Sequence, residues 1–368
     1  IALQYGADAI YLGGQAFGLR ASAGNFSTEE IKKAVKYVHE LDKKIYVTVN
    51  IFAHNYDLDR LPTYLQELEQ SNVDAIIVSD PGILWLVKKY IPNMEIHLST
   101  QANTTNWASC RFWKEQGISR VVLSRELSLN EIGKIADKNK DLELETFVHG
   151  AMCMSYSGRC MLSSFLTGKS ANRGECTHPC RWKYLLMEEK RPGEYMPIME
   201  DKRGTYIFNS RDLCMLEYIP ELIKAGVCSF KIEGRMKSIH YVATIVKAYR
   251  QALDSYYQNP SEYNFQQKWL QEVNKVSDRE YTTGFYFQRP MSQDYNYEEG
   301  KIDRAYEFVG IVLGYDPVKR IALVQQRNKF SVGDIVEAFG PNTEPVQFVL
   351  TEIYNELNEV IDSAPHPL

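Results

Sequence analysis

The sequence predicts an α/β protein: a (β/α)₈ TIM-like barrel with a long cysteine-bearing insertion and a small C-terminal β-barrel domain. Three observations lead there. Short β-branched runs alternate with longer amphipathic stretches, the pattern of βα units on a parallel sheet. Eight such runs can be counted. Polar residues stand at the C-terminal end of nearly every run, where barrel enzymes collect their active-site groups.

In chain order the strand candidates are AIYLGG (9–14), KIYVTVN (44–50), AIIVSD (75–80), EIHLST (95–100), RVVLSR (120–125), LELETFVHG (142–150), TYIFNS (205–210) and SFKIEG (229–234). Helices are expected over Thr28 to Leu41, Leu58 to Ser71, Gly82 to Tyr90, Thr104 to Gln116, Ser128 to Asn139 and Leu213 to Ala225. Strand exits carry Gly13, Gly14, Asn50, Asp80, Gln101, Arg125, His149, Asn209, Glu233 and Arg235, while strand interiors are expected to stay apolar. Residues 1–258 then form the barrel, with an insertion at 151–204 too long for a plain connection and so read as functional. Residues 259–301 read as a linker, and 302–368 as the β-domain, from runs such as YEFVGIVLGYD and VQFVLTEIYN. Ile1 falls in what reads as the middle of a helix, and both ends are expected to be trimmed.

Composition bounds the function. With 44% hydrophobic and 24% charged residues in 368, the balance is globular, which excludes a disordered or fibrous chain. Its apolar runs fall far short of the roughly 20 residues that span a bilayer, so no membrane partner is expected. Seven cysteines, sparse and odd in number, point to a reducing compartment and a cytoplasmic location. A net charge of −5 argues against general affinity for nucleic acid. Two segments are nonetheless basic. Residues 159–183 hold Arg159, Lys169, Arg173, Arg181 and Lys183 against Glu175, and residues 231–250 hold Lys231, Arg235, Lys237, Lys247 and Arg250 against Glu233.

Four cysteines, Cys153, Cys160, Cys176 and Cys180, are separated by six, fifteen and three residues. No helix or strand period fits those gaps. Four thiolates on one loop can hold a tetrahedral zinc or an iron–sulfur cluster. Structural zinc favours two close pairs, and only Cys176 and Cys180 make one. The wide first gap, with Gly158 and Gly174 letting the backbone curl, tilts the spacing toward [4Fe–4S]; small buried hydrophobes are the bland alternative. Cys214, Cys110 and Cys228 read as packing residues, with Cys214 also able to stand in as a ligand.

The segments ETFVHGAMCMSYSGRCMLSS, NRGECTHPCRWKY and GVCSFKIEGRMKSIHYVATIVKAYR, with RNKFSVGDIVEAFGP further on, resemble the collagenase-like peptidase family U32 over nearly the whole chain. That resemblance implies a [4Fe–4S] enzyme that hydroxylates C5 of the wobble uridine in tRNA to 5-hydroxyuridine, without dioxygen and with prephenate as cosubstrate. It implies Cys153, Cys160, Cys176 and Cys180 as ligands, Cys214 replacing Cys180 where the last is lost, and a partner paralogue or homo-oligomer. Prephenate carries two carboxylates, which want arginine forks. Arg235, with Lys231 or Arg125, is expected to bind it; structural pairing of Arg235 with Glu233 and of Arg125 with Glu126 is the rival. Arg159, Lys169, Arg173, Arg181 and Lys183 are expected to follow tRNA phosphates, with the terminal domain as a second contact. Tyr156, Trp182 and Tyr184 read as loop packing rather than base stacking.

Two other functions compete. A collagenase-like peptidase would need a motif, but neither H-E-x-x-H nor G-x-S-x-G occurs, and His149 with Cys153 is the thiol–imidazole pairing that would have to serve. A zinc-stabilised RNA-binding protein without catalysis is the other.

Overall fold

The computed structural model describes residues 1–19, 24–152, 155–156, 160–180, 185–187, 195–197, 199–201, 204–206, 211–277, 279–288 and 306–365. Six parallel strands follow one another with helices between: β1 (Ala9–Gly13), α1 (Thr28–Glu40), β2 (Lys44–Val49), α2 (Asn55–Leu58), α3 (Leu61–Gln70), β3 (Ala75–Val78), α4 (Pro81–Tyr90), β4 (Glu95–Leu98), α5 (Trp107–Glu115), β5 (Arg120–Val122), α6 (Leu129–Lys138) and β6 (Glu143–Gly150). The insertion contributes α7 (Leu162–Thr167) and the short strands β7 (Leu185–Met187), β8 (Tyr195–Pro197), β9 (Met199–Asp201) and β10 (Gly204–Tyr206). Then come β11 (Asp212–Cys214), α8 (Ile219–Lys224), β12 (Ser229–Ile232), α9 (Ile239–Gln258), α10 (Gln267–Lys275) and β13 (Tyr281–Thr282). The terminal region holds β14 (Gly310–Asp316), β15 (Ile321–Gln326), β16 (Phe330–Ser331), β17 (Ile335–Gly340), β18 (Thr343–Val349), β19 (Ile353–Tyr354), β20 (Val360–Ile361) and β21 (Ser363–Ala364).

Local chemistry sets these boundaries. Ser27 opens α1 and Ser128 opens α6 with reciprocal capping boxes to Glu30 and Glu131, each worth about 1 kcal/mol. Asp80 accepts from the amides of Gly82 and Ile83 just before Pro81, whose fixed φ suits a first helical position. Apolar stripes then lay the helices onto the sheet: Ile31, Val35 and Val38 from α1, Leu61, Leu65 and Leu68 from α3, Ile83 and Val87 from α4. No described helix is long and apolar enough to cross a membrane.

The sheet departs from a plain eightfold barrel. β12 pairs parallel with β6 directly, so the described parallel strands run β1 to β6 and then β12. Of the segment expected as strand seven, Thr205 and Tyr206 belong to β10, which pairs with β9 in a separate hairpin, and 207–210, with Asn209, lie outside the described residues. In its stead β11 joins β6 antiparallel, Cys214 opposite His149, so the helix expected from Leu213 begins only at Ile219. Tertiary pairing overrides the helical reading of LCMLEYI, because those strand residues gain a ladder and burial at once. No backbone ladder joins β1 to β12 among the described residues. Side chains span the gap instead: the Tyr11 hydroxyl lies 3.3 Å from Glu233 Oε2, and Lys231 Nζ sits 4.2 Å from the Tyr11 ring centre.

The described part of the stretch expected as a linker, residues 259–277 and 279–288, is structured. It holds α10, packed on α9, and β13, which pairs parallel with β11. The terminal strands pair as antiparallel hairpins, β14 with β15 and β17 with β18, and do not form a closed barrel among the described residues. They dock on α9 and α10: Lys247 Nζ donates to the Gly340 and Thr343 carbonyls, and Lys275 pairs with Glu337 at 2.7 Å.

Candidate active site at the strand ends

Strand interiors are not uniformly apolar, contrary to the sequence expectation. Glu145 of β6 is 3% exposed, and its carboxylate takes Lys231 at 2.6 Å, Ser229 at 2.7 Å and Arg120 at 3.5 Å. Burial alone would raise the Glu145 carboxyl, but Lys231, Ser229 and Arg120 outweigh it and hold the group at about 2. Arg120 also pairs with Glu143 and lies over the Tyr46 ring, which packs edge-on against buried His97. Charges placed at every second strand residue thus meet on one side of the sheet. Lys231, expected at the mouth as a cation for prephenate, is committed here.

One layer nearer the strand ends the chemistry changes. His149 of β6 is 1% exposed and ringed by Tyr241, Tyr249 and Tyr281 at centroid distances of 5.9, 5.6 and 5.1 Å. Its Nδ1 lies 3.5 Å from the Tyr249 hydroxyl. Its Nε2 is buried with no hydrogen-bond partner. Burial drives the imidazole down to about 3, against the pull of the Asp212 carboxylate, so the ring is neutral at working pH. Asp212 of β11 is itself buried, with Lys237 and Arg279 at 3.5 and 3.6 Å, yet its Oδ1 lacks a hydrogen bond. The Tyr241 hydroxyl is a third orphan, pushed well above its ordinary range by burial and by Asp212. Buried polar atoms left unmatched in this way cost folding free energy and concentrate at functional sites. A neutral imidazole, a carboxylate and a phenol can bind a small polar group and hold or move a proton.

The remaining cations stand around this cluster. Arg125 Nη1 donates to the Ala151 carbonyl at 2.7 Å and its guanidinium lies 4.0 Å from the Phe147 ring centre, while its Nε is buried without a partner. It does not pair with Glu126, which accepts from Ser124. Arg235 donates to the Leu19 carbonyl and to Asn25 Oδ1. Its Nη2 occupies the space that a Cβ at Gly13 would need, so the glycine is what admits it. Asn50 binds Gln101 at 3.0 Å on the far side of the mouth.

The insertion leaves β6 at Gly150, in the left-handed region at φ 113°. Cys153, Arg159, Arg181 and Lys183, like Trp182 and Tyr184, lie outside the described residues. Cys160, Cys176 and Cys180 are half-buried and form no disulfide among the described residues. The curl expected at Gly174 is present, with φ 86°. The His178 amide donates to Cys176 Sγ at 3.4 Å, the kind of bond that favours a thiolate and tunes a sulfur-ligated metal. The donor set therefore suits a soft metal centre, although no three His, Cys, Asp or Glu side chains among the described residues come together as a metal-binding group. Cys214 is buried and pushed up to about 11 by burial, a core thiol. Cys228, expected to pack, is exposed.

Of the expected phosphate contacts, Lys169 is exposed, but Arg173 is not available: it grips Asp57 through two bonds of 2.7 and 2.9 Å and stacks on Tyr56. Tyr156, expected to pack, is half exposed. The terminal region runs against an RNA-contact role, since residues 306–365 carry nine acidic and four basic side chains. Asp212, Tyr241 and Tyr281 were invisible as a site in the sequence because they come from three separate segments; an aspartate preceding a buried apolar run was the one local signal.

Known proteins resemble this chain along its whole length. Peptidase family U32 matches residues 1–296, and the Peptidase family U32 C-terminal domain matches residues 304–368. The chain is 44% identical over 368 residues to tRNA hydroxylation protein P1 of Bacillus subtilis (strain 168), covering 100% of this chain and 87% of that one. It is 38% identical to tRNA hydroxylation protein P of Escherichia coli (strain K12), covering 99% and 88%. It is 39% identical to the 23S rRNA 5-hydroxycytidine C2501 synthase of the same organism, over 69% of this chain and 37% of that one.

Proposed function

This chain belongs to peptidase family U32, and from that premise we propose that it is an RNA-modifying enzyme that hydroxylates C5 of the wobble uridine in tRNA, with prephenate as cosubstrate and a [4Fe–4S] cluster. What carries the reading is identity along the entire chain to proteins named for tRNA hydroxylation, and over two thirds of it to one that makes a hydroxylated cytidine in ribosomal RNA. Cys153, Cys160, Cys176 and Cys180 would hold the cluster, which when bound supplies electron transfer. This chain's own residues do the rest. The Asp212 carboxylate, beside the point where the insertion leaves the sheet, is the acceptor for the proton that C5 must lose, with neutral His149 and the Tyr241 hydroxyl as polar groups around it. Arg125 and Arg235 supply forks for a dicarboxylate at the rim. A cytoplasmic location and a paralogue or second copy as partner belong to the same proposal.

Peptidase chemistry finds little support among the described residues. The only strand-end imidazole is enclosed by tyrosines, and the nearest described thiol, Cys214, is held protonated by burial. Mass spectrometry of wobble uridines from cells lacking and regaining this gene tests the proposal. Loss and return of 5-hydroxyuridine is expected, and loss again with Cys176→Ser; nucleosides unchanged by the deletion would sink it.

A further inference from the structure

The proposed reaction needs a grip on RNA, and the terminal region, with nine acidic against four basic side chains over residues 306–365, offers little charge for it. We infer that the outer flank formed by α4 and α5 is a docking face for the tRNA backbone away from the reacting base; this rests on the RNA-modifying reading above. Within these two helices stand Lys88, Lys89, Arg111 and Lys114 against a single acid, Glu115. Lys114 is paired with Asp141 and Arg111 caps the Lys138 carbonyl, so the charge open to a ligand is chiefly that of Lys88 and Lys89.

Large aromatics are exposed on the same flank. Trp85 is 62% exposed, Trp107 50% and Phe112 52%. Lys89 Nζ lies 5.1 Å from the Trp85 ring centre and 5.2 Å from that of Tyr90, which puts cation and π-face in one patch. Lys88 reaches Gln116 at the end of α5, so the two helices present one surface. Trp107 opens α5 at the strand-end side of the sheet, just after β4. Ammonium groups set among exposed indoles match a phosphate backbone and unstacked bases, and the charge favours such a polyanion over a neutral protein surface.

The test uses the full chain and two ligands, whole tRNA and the isolated anticodon stem-loop, titrated at several salt concentrations. Lys88→Glu with Lys89→Glu should weaken whole-tRNA binding at least tenfold and flatten the slope of log affinity against log salt by about 2, one for each phosphate no longer neutralised. Trp85→Ala should cost roughly tenfold with the slope unchanged. Stem-loop affinity should barely move, and Lys319→Glu with Arg320→Glu on the terminal region should change nothing. Iron content and thermal midpoint serve as folding controls. Wild-type affinity and slope in the Lys88 and Lys89 variant overturn the inference, as does conversion of an oligomer to a monomer, which would make the flank a protein interface. Hydroxylation in cells combined with unaltered binding sinks the docking face alone; binding lost in the variants with no hydroxylation by the wild type sinks the proposed reaction alone.

Discussion

Two buried polar layers lie a few residues apart on β6 and are built on opposite principles. Around Glu145 every charge has a counter-charge within 3.5 Å. Around His149 the chain buries an imidazole nitrogen, a carboxylate oxygen and a phenol that make no hydrogen bond, and the carboxylate has only the longer contacts to Lys237 and Arg279 at 3.5 and 3.6 Å. The first arrangement holds the sheet together; the second leaves hydrogen-bonding capacity unused at a cost in stability, the pattern expected where a ligand or a reaction is to be served. A strand that carries both shows that burial of a polar residue is not by itself a sign of function. Matching is the discriminating quantity.

The largest expected effect comes from breaking the matched layer. Glu145→Ala strands Lys231, while Arg120 keeps Glu143, and should cost about 3–5 kcal/mol in urea denaturation; adding Lys231→Met should recover much of it. A loss within measurement error would mean the pair is solvated and the contrast false. Next, Asp212→Asn should lower hydroxylated product roughly 10²-fold or more with little change in denaturation midpoint. Were it to unfold the protein as Glu145→Ala does, both layers would be structural.

Gly13→Ala forces Arg235 out of its channel and should reduce product at nearly unchanged stability, read as a rise in the prephenate concentration needed for half-maximal rate. The layers also differ in pH response. Glu145 titrates at about 2 when folded against 4.5 unfolded, so its stabilisation is full above about 4.5 and drains away as pH falls toward 2. His149 refuses a proton down to about 3 that the unfolded chain accepts at 6.5, so stability declines as pH drops below 6.5. Urea midpoints across pH 7 to 5 should flatten in His149→Gln; an unaltered slope there would place the titration elsewhere. Smallest of all, Arg173→Ala should cost about 1 kcal/mol or less, since the pair with Asp57 is partly solvated.

Much of this was legible in the amino-acid order. β1 to β6 and β12 fall within a few residues of their expected bounds, because β-branched runs and capping residues are local signals. β11 was missed because Asp212–Cys214 is three residues long and its strand character comes from a partner more than sixty positions away. The charged layer was overlooked although its mark was present: Glu143 and Glu145, then Lys231 and Glu233, alternate as one face of a strand does. The cysteines of the insertion stand out by their spacing alone, while the fate of Arg125, Arg173 and Lys231 depended on carbonyls and carboxylates that only folding brings near.

Gly150 carries a consequence of its own. A Cβ there would meet Glu233 at 2.9 Å, and its φ of 113° is one that side chains shun. The direction in which the thiol-bearing segment departs is therefore set by a single swivel with one permitted angle. Replacing that residue with alanine would re-aim the segment downstream while leaving every cysteine in the sequence, so the same thiols would be delivered to different places.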